Sequence, residues 1–201
     1  MQGRDLASII DHTLLKATAT EADIKKLCWE AKKYGFGAVC IHPCFVELAV
    51  AALAGTGVKV ATVIGFPLGA STSEIKAAEA EQAVKHGAQE FDLVLNLGAL
   101  KEKRFDYVRA DLKGVIKRVD GATVKVIMET CYLSDDEIIA ACELAVAAGA
   151  KFVKTSTGFG PAGARADQVR LLRQAVGPDI GVKAAGGIRC YEDALAMIEA
   201  G

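Results

Sequence analysis

The chain has 201 residues, 52% of them hydrophobic, and its 24 Lys+Arg against 25 Asp+Glu leave a formal net charge of -1. That is enough apolar material for one large core, and the lack of a basic block argues against nucleic acid or an anionic membrane as partner. No apolar run approaches a membrane span and Met1-Gln2-Gly3-Arg4-Asp5 lacks a signal core, so a cytoplasmic protein is expected. The six cysteines, at 28, 40, 44, 131, 142 and 190, read as reduced core thiols, because a chain this long needs no staples.

In chain order, a short helix is expected near 4–10, then a weak strand at 12–15 and a helix at 21–34. Helical patterns then end at Gly35, Gly55, Gly87, Gly121, Gly149, Gly177 and Gly201, the position of a left-handed cap. After each of the first six comes an apolar, β-branched run, at 38–41, 58–65, 89–95, 123–129, 151–156 and 180–185. These have the pattern of parallel strands buried on both faces. Ser71 before Glu74 and Ser134 before Glu137 suggest capping boxes at two helix starts. Seven strands thus alternate with seven helices in a single domain over 1–201.

Strict alternation permits a doubly wound sheet or a (β/α)8 TIM barrel. No Gly-x-Gly-x-x-Gly follows the first strand, which weakens the dinucleotide-binding option. Polar residues gather at the C-terminal ends of separate strands (Asp92, Glu129, Lys154, Lys183), as a barrel mouth collects them, so the barrel is favoured. It would lack its eighth strand and helix, with two sheet edges left open. Such a chain would be part of a longer protein or have its gap covered by something else.

Two lysines carry the chemistry. Lys154 in Phe152-Val153-Lys154-Thr155-Ser156 and Lys183 in Gly181-Val182-Lys183-Ala184-Ala185 interrupt apolar strands, where an ammonium is costly. On neighbouring strands ~4.8 Å apart, two such charges ~5–6 Å apart at a dielectric of ~20 repel by about 3 kcal/mol, roughly two pKa units. One amine could then be neutral and attack a carbonyl. Asp92, in an otherwise apolar strand, could hold one lysine charged and relay protons, although alternation does not settle which face of its strand points inward. Glu129 could simply pair with a lysine.

The turn Gly186-Gly187-Ile188-Arg189 could bind phosphate through backbone N–H groups, and Gly158-Phe159-Gly160-Pro161 makes a second flexible loop over the same mouth. Cys40-Ile41-His42-Pro43-Cys44 is a poor metal site, because Pro43 ends the strand and no second ligand pair has zinc spacing. His42 is then a loop residue at the mouth, and His86 suits a helix C-terminus.

The strings Asp11-His12-Thr13-Leu14-Leu15-Lys16, Val63-Ile64-Gly65-Phe66-Pro67-Leu68-Gly69, Glu90-Phe91-Asp92, Lys154-Thr155-Ser156-Thr157-Gly158-Phe159 and Val182-Lys183-Ala184-Ala185-Gly186-Gly187-Ile188-Arg189 resemble the deoxyribose-phosphate aldolase family, in order along almost the whole chain. The resemblance implies a TIM barrel and a class I aldolase without metal or cofactor. Such an enzyme reversibly cleaves 2-deoxy-D-ribose 5-phosphate to acetaldehyde and glyceraldehyde 3-phosphate. It implies Lys154 as Schiff-base lysine, Lys183 as the lysine that tunes it, and Asp92 as the relay carboxylate. Asp11, Thr13, Cys40 and Thr155 would line the substrate site, with Gly186, Gly187 and Arg189 on the phosphate side. Phe159 stands where some members carry a phosphate-side lysine, and the family's Gly-Thr-Ser-Ser-Gly motif is missing. The partners implied are a phosphorylated sugar, aldehydes and further copies of the chain. The competing readings are a phosphate-binding barrel isomerase or synthase without an imine, and a truncated barrel that folds but does not turn over.

Overall fold

The computed structural model describes residues 6–119 and 121–201. Four of the described helices begin where a short polar side chain, Thr20, Thr72, Asn96 or Ser134, accepts from a free N–H group. Thr20 accepts from Asp23 N while Asp23 accepts from Thr20 N, and Ser134 and Glu137 form the same reciprocal box. At the third start the expected Ser71–Glu74 box is displaced by one residue: Thr72 is the N-cap and accepts from Ile75 N. Gly35 and Gly149 are left-handed caps, at φ 73 and 98. Gly55, Gly87 and Gly121 instead lie in turns beyond helices that have already ended.

The order is β1 (Asp11–Leu14), α1 (Glu21–Tyr34), β2 (Ala38–Ile41), a 3-10 turn (Pro43–Phe45), α2 (Val46–Leu53), β3 (Lys59–Ile64), α3 (Ser73–Lys85) and β4 (Glu90–Val94). Next come α4 (Leu97–Lys101), α5 (Phe105–Ile116), β5 (Thr123–Ile127), a second 3-10 turn (Thr130–Tyr132), α6 (Asp135–Ala148), β6 (Phe152–Lys154), α7 (Ala166–Val176), β7 (Gly181–Lys183) and α8 (Tyr191–Ala200). Two helices rather than one follow β4. Of the expected 4–10 helix, Leu6 and Ala7 are helical and a turn follows, while residues 4 and 5 lie outside the described residues. Gly37 takes this segment at close range, since a Cβ there would lie 2.4 Å from the Ser8 carbonyl oxygen.

All seven strands are parallel, in the order β1-β2-β3-β4-β5-β6-β7, and no eighth unit is present among the described residues. The sheet curls into most of a barrel. β1 and β7 are not hydrogen-bonded to each other, yet the Lys183 ammonium donates to the Asp11 carboxylate across the space between them.

Alternation sorts the side chains. Val39, Ile41, Val60, Ile64, Phe91, Leu93, Val124, Val126 and Val153 pack with the helices in the main core. Ala38, Cys40, Ala61 and Val63 form a second, inner cluster with Leu15. Since Phe91 and Leu93 face the helices, Glu90 and Asp92 face inward, which resolves the face of β4.

A fully buried ion pair lies within the outer layer. The fully buried Lys76 on α3 donates to Asp111 Oδ2 on α5 at 2.7 Å and to the Val94 carbonyl at 3.1 Å. It ties two helices to the C-terminal end of β4.

Candidate active site

The register brings the inward polar residues level with one another. Lys154 pairs with Lys183 on the next strand, and Asp92 pairs with Lys125. Asp92 is the hub. Its Oδ2 accepts from Lys154 Nζ at 2.6 Å and from Lys183 Nζ at 2.8 Å, and Cys40 Sγ lies 3.9 Å away. Asp11 Oδ2 accepts from Lys183 and, at 2.6 Å, from Lys125. Lys125 also reaches Glu90 at 2.6 Å, and Glu90 meets Lys59 at 2.8 Å. Cations and carboxylates therefore alternate from the mouth down the inside of the sheet.

These contacts fix the charge states. Burial alone would raise the Asp92 pKa, but the ammonium groups of Lys154, Lys183 and Lys125 outweigh it and hold the group well below the usual carboxylate range. Asp11 is likewise lowered, burial being overcome by Lys183 and Lys125. Burial would favour neutral Lys183, yet Asp92 and Asp11 raise its pKa well above the ordinary lysine value. Simple repulsion between the two amines therefore does not govern Lys183, because a carboxylate sits between them. Burial and the Asp92 charge push the Cys40 thiol up to about 11, so it is protonated at neutral pH.

The signs predict a stability profile. Asp11 and Asp92 have folded values below the unfolded value of ~3.9. Their contribution is complete above about pH 4 and is lost as pH falls through the lowered values. The Lys183 contribution is complete below its unfolded value of ~10.4 and is lost as pH rises through the raised one. Urea midpoints should be level between these limits as far as these groups act, and Asp92→Asn should flatten the acid limb. An acid limb unchanged in that variant would refute the assignment.

Of the residues expected at the site, Lys154, Lys183, Asp92, Asp11 and Cys40 converge. Thr155 uses its hydroxyl to join the β6 and β7 ends, donating to Ala185 O at 3.2 Å and accepting from Ala185 N at 3.0 Å. Gly186 and Gly187 take left-handed conformations, φ 84 and 82, in the turn after β7. Arg189 is exposed on that turn, its N–H held by Asp193 at 2.9 Å. Thr13 is exposed on the edge strand β1, its hydroxyl donating to Asp11 O. Glu129 does not pair with a lysine. Its carboxylate accepts from the Thr157 N–H and hydroxyl. Lys125 and Glu90 were not among the expected site residues. The sign for Lys125 was present, a lysine within Thr123-Val124-Lys125-Val126-Ile127, the same pattern that marks Lys154.

A curled parallel sheet that buries lysines on carboxylates at the C-terminal ends of its strands defines a barrel enzyme with amine chemistry within reach. Similarity to known proteins narrows the class. A family model described as DeoC/LacD family aldolase matches residues 6–201, and the chain belongs to this family. It is 59% identical over 200 residues to the deoxyribose-phosphate aldolase of Caldanaerobacter subterraneus subsp. tengcongensis, covering 98% of this chain and 87% of that protein. It is also 59% identical over 205 residues to the deoxyribose-phosphate aldolase of Thermococcus gammatolerans, covering 100% and 91%. Its fold is similar to the tetrameric deoxyribose phosphate aldolase of Aeropyrum pernix, with a TM-score of 0.94 and 37% identity over 100% of this chain and 85% of that one. A barrel isomerase without an imine is not favoured, since both mouth lysines converge on the buried Asp92 carboxylate rather than being held out for phosphate.

Proposed function

We propose that the chain cleaves 2-deoxy-D-ribose 5-phosphate reversibly to acetaldehyde and glyceraldehyde 3-phosphate through a Schiff base on Lys154. The observation that carries this reading is Asp92 Oδ2 accepting from both lysines at once. Lys183 is held charged by two carboxylates and Lys154 meets only one, so Lys154 is the amine free to react.

Neutral Lys154 Nζ attacks C1 of the open-chain sugar, and loss of water from the carbinolamine leaves an iminium. Removal of the C3 hydroxyl proton then breaks the C2–C3 bond. Its electrons enter the iminium, giving an enamine and releasing glyceraldehyde 3-phosphate. Protonation at C2 and hydrolysis free acetaldehyde and restore the amine. The positive iminium takes the place of the ammonium beside Asp92, so at that stage the carboxylate keeps a cationic partner. Asp92 is too acidic to act as a strong base alone. It works with Lys183 as a relay, one carboxylate and one ammonium passing protons between substrate oxygen and carbon.

The turns carrying Thr155, Gly186, Gly187 and Arg189 suit the phosphate end of the sugar, with Asp11, Thr13 and Cys40 lining the remainder. We read the protein as a cytoplasmic homo-oligomer. No described helix is long and apolar enough to cross a membrane, and the Aeropyrum pernix relative is a tetramer.

The test is borohydride reduction of the wild-type chain in the presence of acetaldehyde, followed by peptide mapping. Modification at Lys154 is expected. Label on another lysine, or none, would overturn the reading.

A further inference from the structure

The loop after β6 carries no Lys or Arg until Arg165, whose guanidinium is bound to Asp167 at 2.7 Å. Its large side chain is instead the phenyl ring of Phe159, which is 55% exposed. That ring lies edge-on to Phe66 in the loop after β3, with centroids 5.2 Å apart and an interplanar angle of 87°. β4 and β5 separate β3 from β6 in the sheet. The ring pair therefore bridges the mouth above the strands that carry Asp92 and Lys125. Phe66 continues inward onto Leu15, Ala38, Cys40, Ala61 and Val63. Cys40 in turn lies 3.9 Å from the Asp92 oxygen that accepts from Lys154. An apolar wall thus runs from the rim to within two contacts of the amine.

Phe159 is held in place from below. Glu129 is buried and in the left-handed region at φ 51, an unfavourable conformation for a non-glycine residue. Its carboxylate accepts from the Thr157 N–H at 3.2 Å and from the Thr157 hydroxyl, whose oxygen accepts from Phe159 N at 3.0 Å. Gly160 lets the loop lie against this clamp, because a Cβ there would stand 2.9 Å from Cys131 Sγ and 3.3 Å from the Glu129 carboxyl group.

We propose that Phe159 is a specificity-determining residue, seated on Phe66 by the positioning residue Glu129 acting through Thr157, and that the ring pair receives the apolar chain of an unphosphorylated aldehyde acceptor. The inference rests on the aldolase reading above. With no cation on this loop before Arg165, an acceptor carbon chain meets a phenyl face here, whereas a phosphate finds its donors on the turn after β7.

The test runs the full chain in the synthetic direction, with acetaldehyde as donor and either hexanal or glyceraldehyde 3-phosphate as acceptor. Phe159→Ala should raise KM for hexanal about tenfold, in line with the apolar area of a phenyl ring. The KM for glyceraldehyde 3-phosphate should change by less than about twofold, with kcat unaltered, and Phe159→Leu should recover part of the loss. Glu129→Gly suits the left-handed backbone but removes the clamp, so it should give the same hexanal-specific loss with Phe159 still present. Amide exchange at 157–159 should accelerate in that variant and in Phe66→Ala. An unchanged hexanal KM in Phe159→Ala, or parallel rises for both acceptors, overturns the proposal. If the wild-type chain still takes the borohydride label at Lys154, only this inference fails. If it takes none, the aldolase reading falls and this inference with it.

Discussion

Lys154→Leu is expected to abolish borohydride trapping of acetaldehyde and to lower kcat by about 10⁴ or more, as removal of a covalent nucleophile does elsewhere. No neighbouring amine can take over. Lys183 is fixed between Asp92 and Asp11, and Lys125 between Asp11 and Glu90. The fold should survive the change, because Asp92 keeps Lys183 at 2.8 Å and Lys125 at 4.0 Å as compensating charges. The measurements are trapping by mass spectrometry, single-turnover rate, and circular dichroism to show that the chain is folded. A folded Lys154→Leu protein that still traps acetaldehyde at the wild-type rate would remove Lys154 from the mechanism.

The largest effect on stability lies away from the chemistry. Lys76→Met keeps the length of the side chain but leaves Asp111 buried without its cation, and the Val94 carbonyl loses a donor. Breaking a buried pair from one side costs about 3–5 kcal/mol, since the remaining charge is uncompensated. Urea denaturation should show that loss, and Lys76→Met/Asp111→Leu should recover most of it. A single variant within about 1 kcal/mol of wild type would mean that the pair contributes little beyond its packing.

Much of this architecture is legible in the residues themselves. Glycine punctuation and β-branched runs locate six of the seven strands, because parallel strands covered on both faces must be continuously apolar, whereas β1 at the sheet edge gives only a weak pattern. Against that background a lysine in a strand stands out, and Lys154 and Lys183 are visible for that reason. Lys125 carries the same sign, but its function depends on carboxylates of β1 and β4 that only the curl of the sheet brings near. The inward face of β4 is equally hidden in Glu90-Phe91-Asp92, where alternation alone cannot say which side meets the helices. The Ser71–Glu74 box fails for a local reason: Thr72 offers an equally good cap one residue later. Glu129 is opaque because its partner lies 28 residues away, in the loop after β6, and only the tertiary fold brings the two together. The Lys76–Asp111 pair joins α3 and α5, and a lysine in an amphipathic helix looks like any solvated one until the helices pack.

The bond from Lys183 to Asp11 spans 172 residues of sequence. No stretch of chain that stops short of β7 can complete the charge cluster. On a ribosome, Asp11 and Asp92 would emerge long before the Lys183 ammonium that both accept from, so the complete cluster, and any catalysis that depends on it, should arrive late.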